Sequence, residues 1–315
     1  MNQQENSIKY SVVIPVYNSA TIVGETIDRT VFFFEKYGWD YELVLINDGS
    51  HDRSWDVLRE KAFATPHIIA INLLRNYGQH TAVFCGLRKS TGDYVITLDD
   101  DLQNPPEEII HLIEKSREGY DLVFGRFREK KHAWHRRLGS LLVCVINRRI
   151  FHQPKGLALT NFRIMKRDVV DKICSYRTRY PYIPGLALMF SINPANVWVK
   201  HQRRPLGKSG YGPFKIAKLL ARILFNYSAF PLHVVGMVGL AASGLSFLLG
   251  LYYLGKAIFA GVGVPGWTTI VVLIAFFNGV AILILTMLGE YIVRLINQTS
   301  YTESYQVKEI IGPHV

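Results

Sequence analysis

Two stretches near the C-terminus limit the fold before anything else. Pro231–Gly255 (PLHVVGMVGLAASGLSFLLGLYYLG) has no charged residue in 25 positions, and Thr268–Gly289 (TTIVVLIAFFNGVAILILTMLG) has none in 22. At about 1.5 Å per helical residue, each can cross a hydrocarbon layer of about 30 Å. A buried soluble helix can be equally apolar, but two such runs in tandem around the short hinge KAIFAGVGVPGW favour a membrane. The sequence therefore predicts transmembrane helices over 230–256 and 267–293. Trp267 and the pair Tyr252–Tyr253 are expected at the interfaces.

Charge divides the chain in the same way. Residues 1–125 carry 11 Lys and Arg against 19 Asp and Glu; residues 126–222 carry 22 against 3; residues 223–315 carry 3 of each. A basic segment beside apolar spans points to anionic lipid rather than to nucleic acid. Within it, GPFKIAKLLARILFNYSAF places Phe214, Ala217, Leu220, Ala221 and Leu224 at helical spacing, with Lys215, Lys218 and Arg222 on another side. That pattern predicts an amphipathic juxtamembrane helix over 213–229. Lys215, Lys218, Arg222 and Arg294 flank the spans, so both the N-terminal domain (1–212) and the tail (294–315) are expected in the cytoplasm, with the protein multi-pass in the plasma (inner) membrane. The polar start MNQQENSIKY predicts no signal peptide. Cys85, Cys144 and Cys174 match no zinc or disulfide spacing and fit a reducing compartment.

The first half alternates strand and helix patterns. YSVVIPVYN, YELVLINDGS, HIIAINLLRN and DYVITLDDD are each followed by a helical run. Four such units predict an α/β fold with a mostly parallel, doubly wound sheet. Ligands gather at the carboxyl ends of such strands. Those ends carry Pro15, Tyr17 and Asn18; Asp48 and its turn; Asn76 and Gly78; and Asp99 to Gln103. Three consecutive aspartates repel one another unless a cation neutralises them, and a carboxylate cluster next to a phosphate suits Mg²⁺ or Mn²⁺. A solvated acidic turn is the plainer alternative. Pro105 and Pro106 end the strand, and Glu107 and Glu108 open a helix to about Arg117. No G-x-G-x-x-G follows the first strand and no P-loop occurs, which disfavours dinucleotide dehydrogenases and P-loop phosphotransferases.

The motifs SVVIPVYN, LINDGSHD, LLRNYGQHTA, LDDDLQNPPE and FGRF, in that order, resemble the inverting GT-A glycosyltransferases of family 2. TNFRIMKRDVVD and RRPLGKSGYG look like later motifs of the polyprenyl-phosphate glycosyltransferases. These include dolichyl-phosphate mannose synthase, the undecaprenyl-phosphate aminoarabinose transferase and the bacterial GtrB-type glucosyltransferases. The resemblance covers nearly the whole chain.

It implies a GT-A nucleotide-sugar domain that makes a lipid-linked sugar at the cytoplasmic membrane face. Pro15, Tyr17, Asn18, Asp48, Asn76, Gly78 and Asp100 then match nucleotide-sugar positions. Asp99, Asp101 and Gln103 match the metal positions, with Asp99, Asp101, Arg126 and Arg204 as catalytic candidates. Arg126, Arg136 and Ser140 match the group that holds the acceptor phosphate. Guanidinium forks suit phosphate oxygens. The expected partners are a nucleotide sugar, a polyprenyl phosphate and the membrane, with no nucleic acid; a homo-oligomer is compatible with all of this. Glucose from UDP-glucose is the expected donor, the alternatives being GDP-mannose or a UDP-aminosugar. A polysaccharide synthase would need a Q-x-x-R-W motif, of which HQRRPLG is a faint echo. A non-catalytic scaffold would not need the intact D-x-D. Asn161 stands where many relatives carry an acid, and Gly210 where many carry a lysine.

Overall fold

The computed structural model describes residues 8–127, 134–178, 180–202, 220, 223–224, 227–228, 230–260, 266–299 and 304–312. The chain forms two compact units, one of residues 1–220 with 302–315, the other of residues 221–301.

The first unit is built on an eight-stranded sheet in the order β7-β5-β6-β4-β1-β2-β3-β8. Its strands are β1 (Lys9–Val16), β2 (Asp40–Asn47), β3 (Ile68–Leu73), β4 (Tyr94–Thr97), β5 (Leu122–Phe127), β6 (Arg163–Lys166), β7 (Pro194–Val199) and β8 (Val307–Ile311). The central pairs β1–β2, β1–β4 and β2–β3 are parallel, so their carboxyl ends share one edge. The later strands depart from this pattern. β6 runs antiparallel between β4 and β5, and β8 is antiparallel to β3.

β1 and β2 are buried at every position after their first residue. Helices on both faces of a parallel sheet produce such unbroken burial. On one face Val12, Ile14, Leu43 and Leu45 join a core with residues of α1 (Val23–Tyr37), α2 (Ser54–Ala64) and α4 (Ile109–Arg117). Tyr10, Phe33, Phe34, Trp39 and Tyr41 form an aromatic cluster there, with the Phe34 and Tyr41 rings stacked at 5.2 Å. On the other face α3 (Gln79–Lys89) lies against β1 and β2 through Gly86. A Cβ at Gly86 would lie 2.4 Å from Val13 Cγ1 and 2.6 Å from Ile46 Cδ1, so only glycine permits this close approach. α5 (Trp134–Phe151), α6 (Arg167–Ser175) and α7 (Ile183–Phe190) complete the unit. As expected, Pro106–Glu108 makes one 3₁₀ turn that leads into α4 and ends the run after β4.

The second unit holds α8 (Phe230–Ala260) and α9 (Trp267–Thr299). The pair packs through small residues of α8: Gly236 faces Thr286, and a Cβ at Gly239 would come within 2.8 Å of Ile282. Glycine lets two helices approach closely, because no side chain keeps their backbones apart. Tyr253 meets Trp267 edge-on at 5.1 Å. Among the described residues, Thr269–Val293 is long and apolar enough to cross a membrane. Its large side chains face outward, Phe277 being 63% and Leu285 66% exposed, which a soluble core helix would not tolerate. The amphipathic segment 213–229 lies largely outside the described residues.

Gly86→Val should destabilise the first unit by about 1–3 kcal/mol through overpacking. Gly24→Ala, whose new methyl would sit 3.7 Å from Val57, should be neutral or stabilising, since alanine is the better helix former. Denaturant midpoints of the two variants check both expectations.

Candidate active site

The parallel strands bring their terminal loops together, and hydrogen bonds join them. After β1, the Tyr17 N–H donates to Asp100 Oδ2 at 3.2 Å. Asn18, in the left-handed region at φ 51°, donates its N–H to Ser50 Oγ and accepts from the His51 N–H. The Asp48 N–H donates to the Val16 carbonyl at 2.9 Å. The tips of β1, β2 and β4 are thus tied into one edge.

Asp48 is the most enclosed acid of this edge, only 3% exposed. Its two oxygens accept from the Tyr77 N–H at 2.7 Å and the Gly78 N–H at 2.9 Å, on the loop that opens α3. Burial pushes the carboxyl up to about 6, against the pull of these two donors. Gly49 makes the arrangement possible. It sits at φ 63°, and a Cβ there would lie 2.4 Å from the Arg75 carbonyl carbon. The β2 turn and the Arg75–Asn76 backbone are therefore in direct contact. Pro15 lies buried within β1, while Tyr17, Asn18 and Asn76 are exposed at the mouth.

The aspartates have different surroundings. Asp99 Oδ1 accepts from Gln79 Nε2 at 2.6 Å. Asp101 is buried, and its Oδ1 accepts from the Gln103 N–H at 3.1 Å. Leu102 between them adopts φ 54°, uncommon for a non-glycine residue; it turns the chain so that Gln103 folds back on Asp101. The Thr26 hydroxyl donates to the Asp100 carbonyl, and the Gln202 N–H donates to the Gln103 carbonyl at 2.9 Å.

Among the described residues no group of three or more His, Cys, Asp or Glu converges as a closed metal cage. The donor set fits a different kind of site. Hard cations such as Mg²⁺ keep several waters and bind through one or two carboxylates together with substrate phosphates. Asp99, Asp101 and the Gln103 amide are oxygen donors of that kind on one loop.

Behind Asp99 lies a residue whose role was not evident from the sequence. Arg163 is fully buried, opposite Thr97 in the β4–β6 register. Its Nε donates to Thr97 Oγ1 at 3.1 Å, and that hydroxyl donates to the Asn161 carbonyl. Among the described residues neither terminal nitrogen has a hydrogen-bond partner. Burial pulls the guanidinium down to about 10, while the charge of Asp99 works in the opposite direction. Asn147 donates to the Tyr182 hydroxyl at 3.2 Å, and His80 meets the Tyr182 ring edge-on. An arginine inside an apolar strand, in NFRIMK, was the available signal. Gln79 gave none beyond its place after Gly78.

The phosphate candidates are only partly described. Arg126 is exposed near the end of β5, with its guanidinium 4.6 Å from the centre of the Trp198 ring on β7. Arg136 and Ser140 fall on α5, but their side chains lie outside the described residues, as does Arg204.

A buried carboxylate and an aspartate triplet thus lie together at the carboxyl edge of a largely parallel sheet, where open α/β sheets bind their ligands. The family model described as glycosyl transferase family 2 matches residues 11–177, and the chain belongs to that family. Undecaprenyl-phosphate 4-deoxy-4-formamido-L-arabinose transferase of Proteus mirabilis (strain HI4320) is 34% identical over 99% of this chain and 97% of its own. The protein of the same name from Shewanella sediminis (strain HAW-EB3) is also 34% identical, over 99% and 95%. Among solved structures, glucosyl-3-phosphoglycerate synthase from Mycobacterium tuberculosis, in complex with Mn²⁺, UDP and phosphoglyceric acid, shares the fold at a TM-score of 0.50. It is 18% identical, over 70% of this chain and 77% of that one.

A carboxyl group raised in the folded state contributes stability that is complete below its unfolded value near 3.8 and is lost as pH rises through about 6. Asp48→Asn cannot ionise. From about pH 4 to pH 7 the stability difference should move in the variant's favour by roughly 2 kcal/mol, read from denaturant midpoints of the ligand-free protein. A difference that stays flat across this window would show that the carboxylate is not held charged in a desolvated site.

Proposed function

We propose that this glycosyltransferase moves a sugar from a uridine diphosphate donor onto a polyprenyl phosphate of the undecaprenyl type, at the cytoplasmic face of the inner membrane. The observation that carries the reading is the reach of the likeness to the undecaprenyl-phosphate transferases. It spans 99% of the chain, apolar helices included, and not the nucleotide domain alone. The names of these relatives favour a 4-amino- or 4-formamido-arabinose donor over the glucose expected from the motifs.

In this reading Tyr17 and Asp48 hold the base and ribose, with Pro15, Asn18, Asn76, Gly78 and Asp100 around them. Asp99, Asp101 and Gln103 would hold Mg²⁺ or Mn²⁺, which neutralises the diphosphate as it departs. Arg204 stands near the same diphosphate. Arg126, Arg136 and Ser140 hold the acceptor phosphate. An oxygen of the lipid phosphate forms a bond to the anomeric carbon, while the bond from that carbon to the β-phosphate oxygen breaks and its electron pair leaves with UDP. Attack in line with departure inverts the configuration. The lipid phosphate is already anionic at neutral pH, so no base has to take a proton. An asparagine at position 161 is then sufficient, and positioning with leaving-group stabilisation supplies the rate.

Two crossings suit the connectivity. The chain leaves the first unit before residue 221 and rejoins it in β8. In this reading α8 and α9 each span the membrane, so both ends of the hairpin lie on the side of the first unit and the hinge lies outside.

Membranes containing the protein, supplied with labelled UDP-glucose, UDP-aminoarabinose, its N-formyl form and GDP-mannose, should transfer label to lipid most strongly from an aminoarabinose donor. Excess chelator or Asp101→Ala should abolish transfer, and Mg²⁺ or Mn²⁺ should restore it after chelation only. Transfer that survives excess chelator would remove the cation from the reading; preference for glucose would return the donor to the motif-based expectation.

With the native cysteines replaced, a membrane-impermeant thiol reagent added outside should label Gly263→Cys in the hinge and miss Lys308→Cys in β8. The reverse pattern would refute this topology.

A further inference from the structure

Within the last described stretch of the chain, residues 304–311 return to the first unit as β8 and its lead-in. Ala70 pairs with Ile311, Ile71 with Ile310, Asn72 with Glu309 and Leu73 with Val307; the register shifts between Asn72 and Leu73. At that shift the Leu74 N–H donates to the Gln306 carbonyl at 2.9 Å. The preceding residue, Tyr305, is 9% exposed. Its hydroxyl faces the Cys85 thiol and the Arg88 guanidinium on α3. Further back, the Ser304 hydroxyl donates to the Thr178 carbonyl at 2.8 Å.

These contacts grip one segment at both ends. Gln306 holds Leu74, where the loop after β3 begins; Tyr305 holds the last turns of α3. Between the two grips lie the Tyr77 and Gly78 N–H groups that donate to Asp48, and the Gln79 amide that donates to Asp99. From the opposite side the Gly49 turn presses on Arg75 and Asn76. The loop that completes the donor site is therefore held between the β2 turn and the returning tail. Loops not held in this way open locally at little cost, and a loop that must be ordered on binding weakens binding by that ordering.

We infer that the tail 304–311 is a positioning element of the donor site, with Tyr305 its positioning residue, fixing the 74–79 loop that carries the N–H donors to Asp48. This rests on the reading of Asp48 as part of a uridine nucleotide site. Tyr305 touches no substrate; it acts through α3 and the loop before it. In the sequence the tail comes soon after α9, so residues that follow the apolar hairpin border the donor loop.

The test uses the full chain in detergent. Amide hydrogen exchange is followed at Tyr77 and Gly78 and in β1, and UDP binding is measured by calorimetry, for wild type, Tyr305→Phe and Tyr305→Ala, with Tyr305→Leu replacing the alanine variant if that fails to fold. In the truncated variant, exchange at Tyr77 and Gly78 should quicken while β1 stays as in wild type. UDP affinity should fall roughly three- to tenfold, the effect of about one lost hydrogen bond. Tyr305→Phe, which keeps the ring, should lie between. Unchanged exchange at Tyr77 and Gly78 would overturn the inference. So would exchange that quickens equally in β1, because Tyr305 would then support the fold as a whole. Wild type that fails to bind UDP would remove the nucleotide reading, while the exchange measurement would still decide whether the tail holds the loop.

Discussion

The grip of two backbone N–H groups on the buried Asp48 carboxylate is the constraint from which the site's geometry follows. The Tyr77 and Gly78 donors reach Asp48 only because the loop after β3 lies against the turn after β2, and that contact exists only because residue 49 has no side chain. Once this loop is placed, α3 starts where Gln79 can reach Asp99. One contact between neighbouring strand ends therefore orders the Asp48 side and the aspartate-triplet side of the edge together. A buried carboxylate is costly unless its oxygens are satisfied. Asp48 and its loop thus depend on each other.

Arg163 has the opposite character. A guanidinium with two nitrogens unsatisfied is a poor way to stabilise a core, since desolvating a charge can outweigh what it gains. Tied through Thr97 to the Asn161 loop, Arg163 sets a buried positive charge near Asp99, the first of the three aspartates. Strain and desolvated charge gather at this edge: Asn18 and Leu102 in the left-handed region, Arg163 and Asp48 buried. Departures from local rules are expected to concentrate at functional sites.

The unit of apolar helices and the unit of the sheet are linked twice along the chain, once before α8 and once after α9. The second link is a strand of the catalytic sheet itself. β8 also covers the edge of β3, which would otherwise present unpaired backbone groups. A tail that caps an edge strand and borders the loop after β3 makes the folding of the first unit depend on residues that follow the apolar helices.

Local pattern alone determined much of this protein. Alternation of strand and helix gave the first four β-α units, and the stop at Pro105 and Pro106 put Asp99 to Asp101 at a strand end. The long uncharged runs gave α8 and α9. Each of these rests on interactions between residues close in the chain, so each can be read from a short window. The tertiary structure decided what depends on distant pairing. It placed β6 antiparallel beside β4, which brought Arg163 behind Asp99, and it brought the tail past α9 to β3, which set Tyr305 on α3. Sequence read Val307–Ile311 only as part of a tail, because five residues carry too little pattern to name a partner strand. The edge of β3 selects that partner, and no short window of sequence contains both.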